Sequence, residues 1–187
     1  YLADLPLDSF ELPLQPIRET CVNVVRADGT PISEAPVRVV FGGSALVRAK
    51  SGADGKAHLR IPAGEPVDWI AAAKDGEGLD YFQGRDEGPL PEEVKLTLEG
   101  AVTVRVKVVD TAGRPVAGLV LGAMGPFLQG GWKSVDLSCT DLLRATTDEN
   151  GIAVFRHLWP VPRDISPAYI LHPLDERFAY RQVRIEV

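Results

Sequence analysis

Val24-Val25-Arg26-Ala27-Asp28-Gly29-Thr30-Pro31-Ile32 and Val108-Val109-Asp110-Thr111-Ala112-Gly113-Arg114-Pro115-Val116 are two copies of one motif. Gly113 stands 84 positions after Gly29, and Pro115 stands 84 after Pro31. The same offset pairs Leu12 and Leu14 with Leu96 and Leu98. Downstream, Asp54-Gly55-Lys56-Ala57-His58-Leu59 is echoed by Asn150-Gly151-Ile152-Ala153-Val154-Phe155, where Gly55 and Gly151 are 96 apart. A supersecondary unit has been duplicated, and the second copy carries about 12 extra residues, since 96 exceeds 84 by that amount.

Period-two alternation fills the spaces around these motifs. In Ala101-Val102-Thr103-Val104-Arg105-Val106-Lys107-Val108 the valines share one face and the polar residues the other, which is the pattern of a half-buried strand. Val37–Phe41 and Ala57–Ile61 alternate likewise, while Val67-Asp68-Trp69-Ile70-Ala71-Ala72-Ala73 is more continuously apolar and predicts a central strand with Trp69 in the core. Asp28-Gly29, Asp54-Gly55 and Asn150-Gly151 supply the positive φ of tight turns, with Asp54 and Asp148 placed to cap them. Asp141–Arg144 and Arg163–Ile165 have room for a single turn each. The fold class expected is all-β: two tandem β-sandwiches.

Val94-Lys95-Leu96-Thr97-Leu98 closes the first unit, and Val183-Arg184-Ile185-Glu186-Val187 is expected to close the second in the same way. Phe10-Glu11-Leu12-Pro13-Leu14 has this pattern but precedes the first unit. The expected organisation is therefore residues 1–14 as the terminal strand of a preceding unit or an N-terminal extension, 15–99 as the first sandwich, and 100–187 as the second with an inserted loop at 126–146. The chain reads as a segment of a longer protein.

The succession of strand, Gly-x-Pro-Val/Ile, strand, Asp/Asn-Gly-x-Ala and Pro62-Ala63-Gly64 resembles the carboxypeptidase regulatory-like domains. In the second copy Pro160-Val161-Pro162 replaces Pro-x-Gly. The resemblance covers roughly 20–75 and 101–160. It implies small immunoglobulin-like or transthyretin-like β-sandwiches that serve as accessory modules in large bacterial multidomain proteins, often outside the cytoplasm. The partners it implies are neighbouring domains of the same polypeptide.

Composition narrows function mostly by exclusion. Hydrophobic residues are 45% and charged residues 25%, globular values. Gly 18 and Pro 15 together exceed the roughly 12% of average usage and predict many turns. With 20 Lys and Arg against 26 Asp and Glu the net charge is −6, and the basic residues are scattered, which argues against nucleic acid. No apolar run approaches the roughly 20 residues of a membrane helix. Cys21 and Cys139 fall in different units and read as two idle thiols, which leaves the compartment open.

Candidate chemistry is sparse. His58 alternates with Ala57 and Leu59 and should face solvent; His157 lies near a strand end and His172 precedes Pro173. No His or Cys spacing suits zinc. Tyr169, Tyr180, His157 and His172 resemble in kind the iron ligands of ring-cleaving dioxygenases, but nothing local positions them. Asp75, Glu77, Asp80, Asp86 and Glu87 read as a solvated acidic loop, without the spacing of a calcium site. No nucleophile elbow or phosphate loop appears, so neither an enzyme nor a cofactor or metal is expected. Tyr81-Phe82 is placed to plug a sandwich edge or pack between units, and Trp159 to plug a sandwich end. The inserted loop holds the binding candidates, Phe127, Trp132 and Lys133, since an aromatic on a loop of a rigid sandwich can grip a glycan or protein. The alternative is that Phe127 and Trp132 fold back over the loop's own small core. The function expected is a non-catalytic spacer or scaffold, with glycan or protein binding as the alternative.

Overall fold

A computed structural model describes residues 14–43, 45–84, 90–127, 141–158, 168–176, 178 and 183–186. Among them the chain forms thirteen strands. Seven belong to the first motif copy: β1 (Ile17–Arg26), β2 (Pro36–Phe41), β3 (Ala45–Lys50), β4 (Lys56–Pro62), β5 (Val67–Lys74), β6 (Gly78–Gln83) and β7 (Glu93–Leu98). Six follow: β8 (Val102–Lys107), β9 (Val120–Phe127), β10 (Arg144–Thr146), β11 (Ile152–Leu158), β12 (Ala168–Pro173) and β13 (Val183–Glu186). The fold is all-β, two β-sandwiches in tandem.

The first sandwich faces a sheet ordered β4-β1-β7 against one ordered β3-β2-β5-β6. All neighbours are antiparallel except β7, which runs parallel to β1. The second faces β11-β8 against β10-β9-β12-β13. Strand for strand, β8 to β13 repeat β1 to β6. Val183–Glu186 is therefore the counterpart of β6 and not of β7, correcting the sequence expectation: β13 pairs antiparallel with β12, from Leu171↔Val183 to Ala168↔Glu186. Alternation specifies a half-buried strand and leaves its partner open. The segment expected as an inserted loop at 126–146 begins on β9 and ends on β10, so the extra residues interrupt a hairpin whose first-copy counterpart connects Phe41 directly across to Ala45.

The three parts of the motif recur because they touch. The first turn is closed by Gly29 N–H to Arg26 O at 2.9 Å and, in the second copy, by Gly113 N–H to Asp110 O at 3.0 Å. Val24 and Val108 each donate to the carbonyl of the later glycine, Gly55 and Gly151, at 2.8 Å. Those glycines have φ of 77° and 73°, and a Cβ there would lie 2.6 Å from Val24 O or 2.5 Å from Val108 O. Only glycine fits both the turn and the approach. Asp54 accepts Lys56 N–H at 3.0 Å and Asp148 accepts Asn150 N–H at 2.9 Å, which caps each second turn. A feature the motif did not announce joins them: Ser51 Oγ accepts Ala35 N–H and Thr147 Oγ1 accepts Leu119 N–H, both at 2.9 Å. Each hydroxyl stands four residues before the turn glycine.

Two apolar clusters form. Val22, Val24, Val39, Leu59, Ile70, Ala72, Val94, Leu96 and Leu98 fill the first sandwich. The second cluster joins Leu121, Leu143, Phe155, Leu158 and Tyr169 to Ala71, Ala73 and Leu79, residues of the first sandwich. β5 is thus buried on both faces, Ile70 and Ala72 toward one core, Ala71 and Ala73 toward the other. This double burial explains its continuous apolar run, and the alanines let a second layer approach the sheet closely. Trp69 belongs to the second face. Expected in the core, it is half-buried against the second one and meets Tyr81 edge to face at a centroid distance of 5.9 Å. Phe82 points the other way, into the first core.

Candidate functional site

A cleft lies where the two sandwiches meet. It has a volume of about 300 Å³ and is lined by Arg38, Ala73, Lys74, Asp75, Asp141, Leu142, Arg144 and His157 among others. β2 supplies Arg38 and β5 ends in Lys74; β11 carries His157, and the turn before β10 supplies Asp141.

These charges are matched across the junction. Arg38 grips Asp141 with two parallel bonds, Nε to Oδ1 at 2.5 Å and Nη2 to Oδ2 at 2.9 Å. Such fork-to-carboxylate pairing fixes geometry as well as charge. The guanidinium holds the Asp141 carboxyl below its ordinary range, against the opposing effect of burial. His157 stands between two acceptors, with Nδ1 3.0 Å from Asp75 Oδ1 and Nε2 2.5 Å from Leu142 O. Lys74 Nζ donates to Ser33 O at 2.6 Å.

The turn between β5 and β6 completes the joint. Gly76 N–H donates to Arg156 O at 3.0 Å, and Glu77 O accepts Gly100 N–H at 2.9 Å. A Cβ on Gly78 would lie 2.1 Å from Gly100 O, so turn and linker are in backbone contact. Glu77 is paired with Arg26, which lowers its carboxyl pKa. Asp80 accepts Thr97 N–H at 2.6 Å. Glu77 and Asp80 are half-buried and bonded to other elements, where a solvated acidic loop was expected, while Asp75 is exposed as expected and still meets His157; Asp86 and Glu87 lie outside the described residues. The signal was long-range: each acidic residue is answered by a group from another element.

The remaining candidates are scattered. Trp132 and Lys133 lie outside the described residues, as does the side chain of Phe127, whose backbone ends β9. Cys139, Trp159, Tyr180 and 163–165 also lie outside them. Tyr169 is fully buried in the second core, and strand alternation sends the buried His172 to the opposite face of β12. His157 is engaged at the junction. The iron-type ligand set is not assembled from these three, and among the described residues no three His, Cys, Asp or Glu side chains are placed to hold a metal. His58 is exposed on β4 opposite Cys21. Burial pushes the Cys21 thiol pKa up, which removes the thiolate character a nucleophile needs.

No family model matches the chain, and no curated protein matches it. Among solved structures it is similar to the Bacillus anthracis TIE protein, at 15% identity and a TM-score of 0.31 over 91% of this chain and 31% of that one. It is similar to a streptococcal ancillary pilin at 13% identity and a TM-score of 0.31, over 91% and 58% of the two chains. A DUF3823 family protein from Parabacteroides merdae aligns at 10% identity and a TM-score of 0.34, over 92% and 99%. The chain thus spans about a third of the first protein's length and under three fifths of the second's. Likeness at this level carries no argument about ligand or activity. No helix among the described residues is long and apolar enough to cross a membrane.

Proposed function

We propose that this chain is a non-catalytic spacer of a larger bacterial protein, a pair of sandwiches that holds neighbouring domains of the same polypeptide at a fixed separation. The observation that carries the reading is the double burial of β5, whose Ala72 and Ala71 serve different cores. Two sandwiches that share a sheet as a common wall do not swing about their linker. The matched ion pairs around the cleft favour a weld over a binding site, because its charges are already satisfied within the chain. In this reading 15–99 and 100–187 are the two units, and the motif likeness to carboxypeptidase regulatory-like modules of immunoglobulin-like or transthyretin-like type accounts for the repeat. Scanning calorimetry tests it. One transition with equal calorimetric and van't Hoff enthalpies supports the shared wall, and two separate transitions refute it.

A second reading, glycan or protein binding through the 126–146 insertion, is favoured by where the extra residues fall. They fall between β9 and β10, whose antiparallel pairing is the counterpart of the β2–β3 hairpin. Phe127, Trp132 and Lys133 are its contact residues. Trp132→Ala then abolishes a saturable fluorescence response to ligand at little cost in stability, whereas a tryptophan folded into a core loses about 3–5 kcal/mol on truncation.

A further inference from the structure

The chain has two asparagines, Asn23 and Asn150, and only Asn150 precedes a glycine. An asparagine side chain is open to attack by the amide nitrogen of the next residue, and glycine, with no Cβ, obstructs that attack least. Asn23 is followed by the β-branched Val24 inside β1, where the next side chain crowds the approach. Asn150 lies in the exposed turn before β11, and among the described residues its side-chain amide has no bonded partner.

The turn holds the reacting atoms apart. Three successive N–H groups converge on Asp148: Asn150 and Ile152 donate to Oδ1 and Gly151 to the main-chain oxygen, each at 2.9 Å. Asp148 N–H donates to Ile152 O at 3.0 Å, and Val108 N–H holds Gly151 O at 2.8 Å. While these bonds stand, Gly151 N cannot swing behind the Asn150 side chain, and the nearby Asp148 carboxylate opposes loss of its proton. In the first copy, 96 positions earlier, Gly52 stands in place of Asp148 and Asp54 in place of Asn150. There Asp54 Oδ1 itself takes Lys56 N–H at 3.0 Å.

We propose that Asn150-Gly151 is a deamidation site gated by opening of this turn, and that its isoaspartyl product unlocks the second sandwich. When the turn opens, Gly151 N gives its proton to water and bonds to Asn150 Cγ. The Cγ–Nδ2 bond breaks, ammonia leaves with a proton returned from water, and a cyclic imide remains. Water then opens the ring on either side, so that a water is taken up, an ammonia is released, and nothing is oxidised or reduced. Opening at Cγ leaves aspartate, the residue the first copy carries in this turn. Opening at the main-chain carbonyl leaves isoaspartate, whose link to Gly151 runs through Cβ and Cγ and is longer by a carbon. Gly151 has no room for that displacement: a Cβ on it would meet Val108 O at 2.5 Å, Val116 N at 3.1 Å and Pro115 Cβ at 3.2 Å. The contact that joins the parts of the repeated motif is then lost.

The test follows Asn150 in the full chain at mildly alkaline pH by peptide mapping, with fragmentation that separates aspartate from isoaspartate. Folded chain, chain unfolded in guanidinium chloride, and Asp148→Ala are compared. The expected result is conversion roughly tenfold slower in the folded chain than in the unfolded one, and faster in Asp148→Ala than in the folded wild type. Chains fractionated with isoaspartate at 150 should lose amide-exchange protection at Val108. Asn150→Asp, whose added charge is exposed and screened, should keep it. Equal rates folded and unfolded, or no acceleration in a folded Asp148→Ala, overturn the gate. Protection at Val108 that survives isoaspartate, or that Asn150→Asp loses as well, overturns the unlocking. The spacer reading rests on β5 and is untouched by either result.

Discussion

Arg38 and Asp141 stand 103 positions apart in sequence and meet through two bonds of 2.5 and 2.9 Å, one residue from each sandwich. The Arg38 side chain is only 12% exposed and also donates to Val37 O at 3.0 Å, so it reaches the junction already oriented. Asp141, 44% exposed, is the softer half of the pair.

Acid weakens this joint. The Asp141 carboxyl has a lower pKa folded than its ordinary value of 3.8, so the folded state binds fewer protons near that pH. Its contribution is fully present above the unfolded pKa and is lost as pH falls through the folded one. Solvent screening keeps the effect within about 1 kcal/mol. Asp141→Asn should lower stability at neutral pH by that order and flatten the fall in stability below about pH 4, measured by denaturant unfolding across pH.

The motif glycines divide into two kinds. Gly29 and Gly113 have φ of 84° and 78° with nothing near a built Cβ, so alanine there meets backbone strain alone, about 1 kcal/mol. Gly55→Ala and Gly151→Ala add a collision with Val24 O or Val108 O, and each should cost about 2–4 kcal/mol. Equal losses in the two kinds would contradict the close approach.

Ser51 and Thr147 satisfy buried backbone N–H groups at equivalent positions. Ser51→Ala and Thr147→Val remove the acceptor and keep most of the volume. Each should cost about 1–3 kcal/mol by urea titration, and a loss near zero would place a water or another partner at that site.

Much of this architecture is legible in the residues because its causes are local. Asp-Gly and Asn-Gly define turns, and alternating valines define half-buried strands. The double burial of β5 shows in the run Ile70-Ala71-Ala72-Ala73, but which layer covers its second face does not. The junction is illegible for a related reason: Asp75, Glu77 and Asp141 look like surface acids until His157, Arg26 and Arg38 arrive from distant strands. Val183–Glu186 and Val94–Leu98 share a pattern and occupy different sheets, since a strand's partner is set by the whole fold.

The central claim is that the two sandwiches form one rigid body. With Cys21 and Cys139 replaced by serine, spin labels at His58→Cys on β4 and Thr103→Cys on β8, both exposed positions, report the distance between them by pulsed dipolar spectroscopy. A single narrow distance, unchanged from pH 6 to 8, is the predicted result. A broad distribution, that of two beads on a flexible linker, contradicts it.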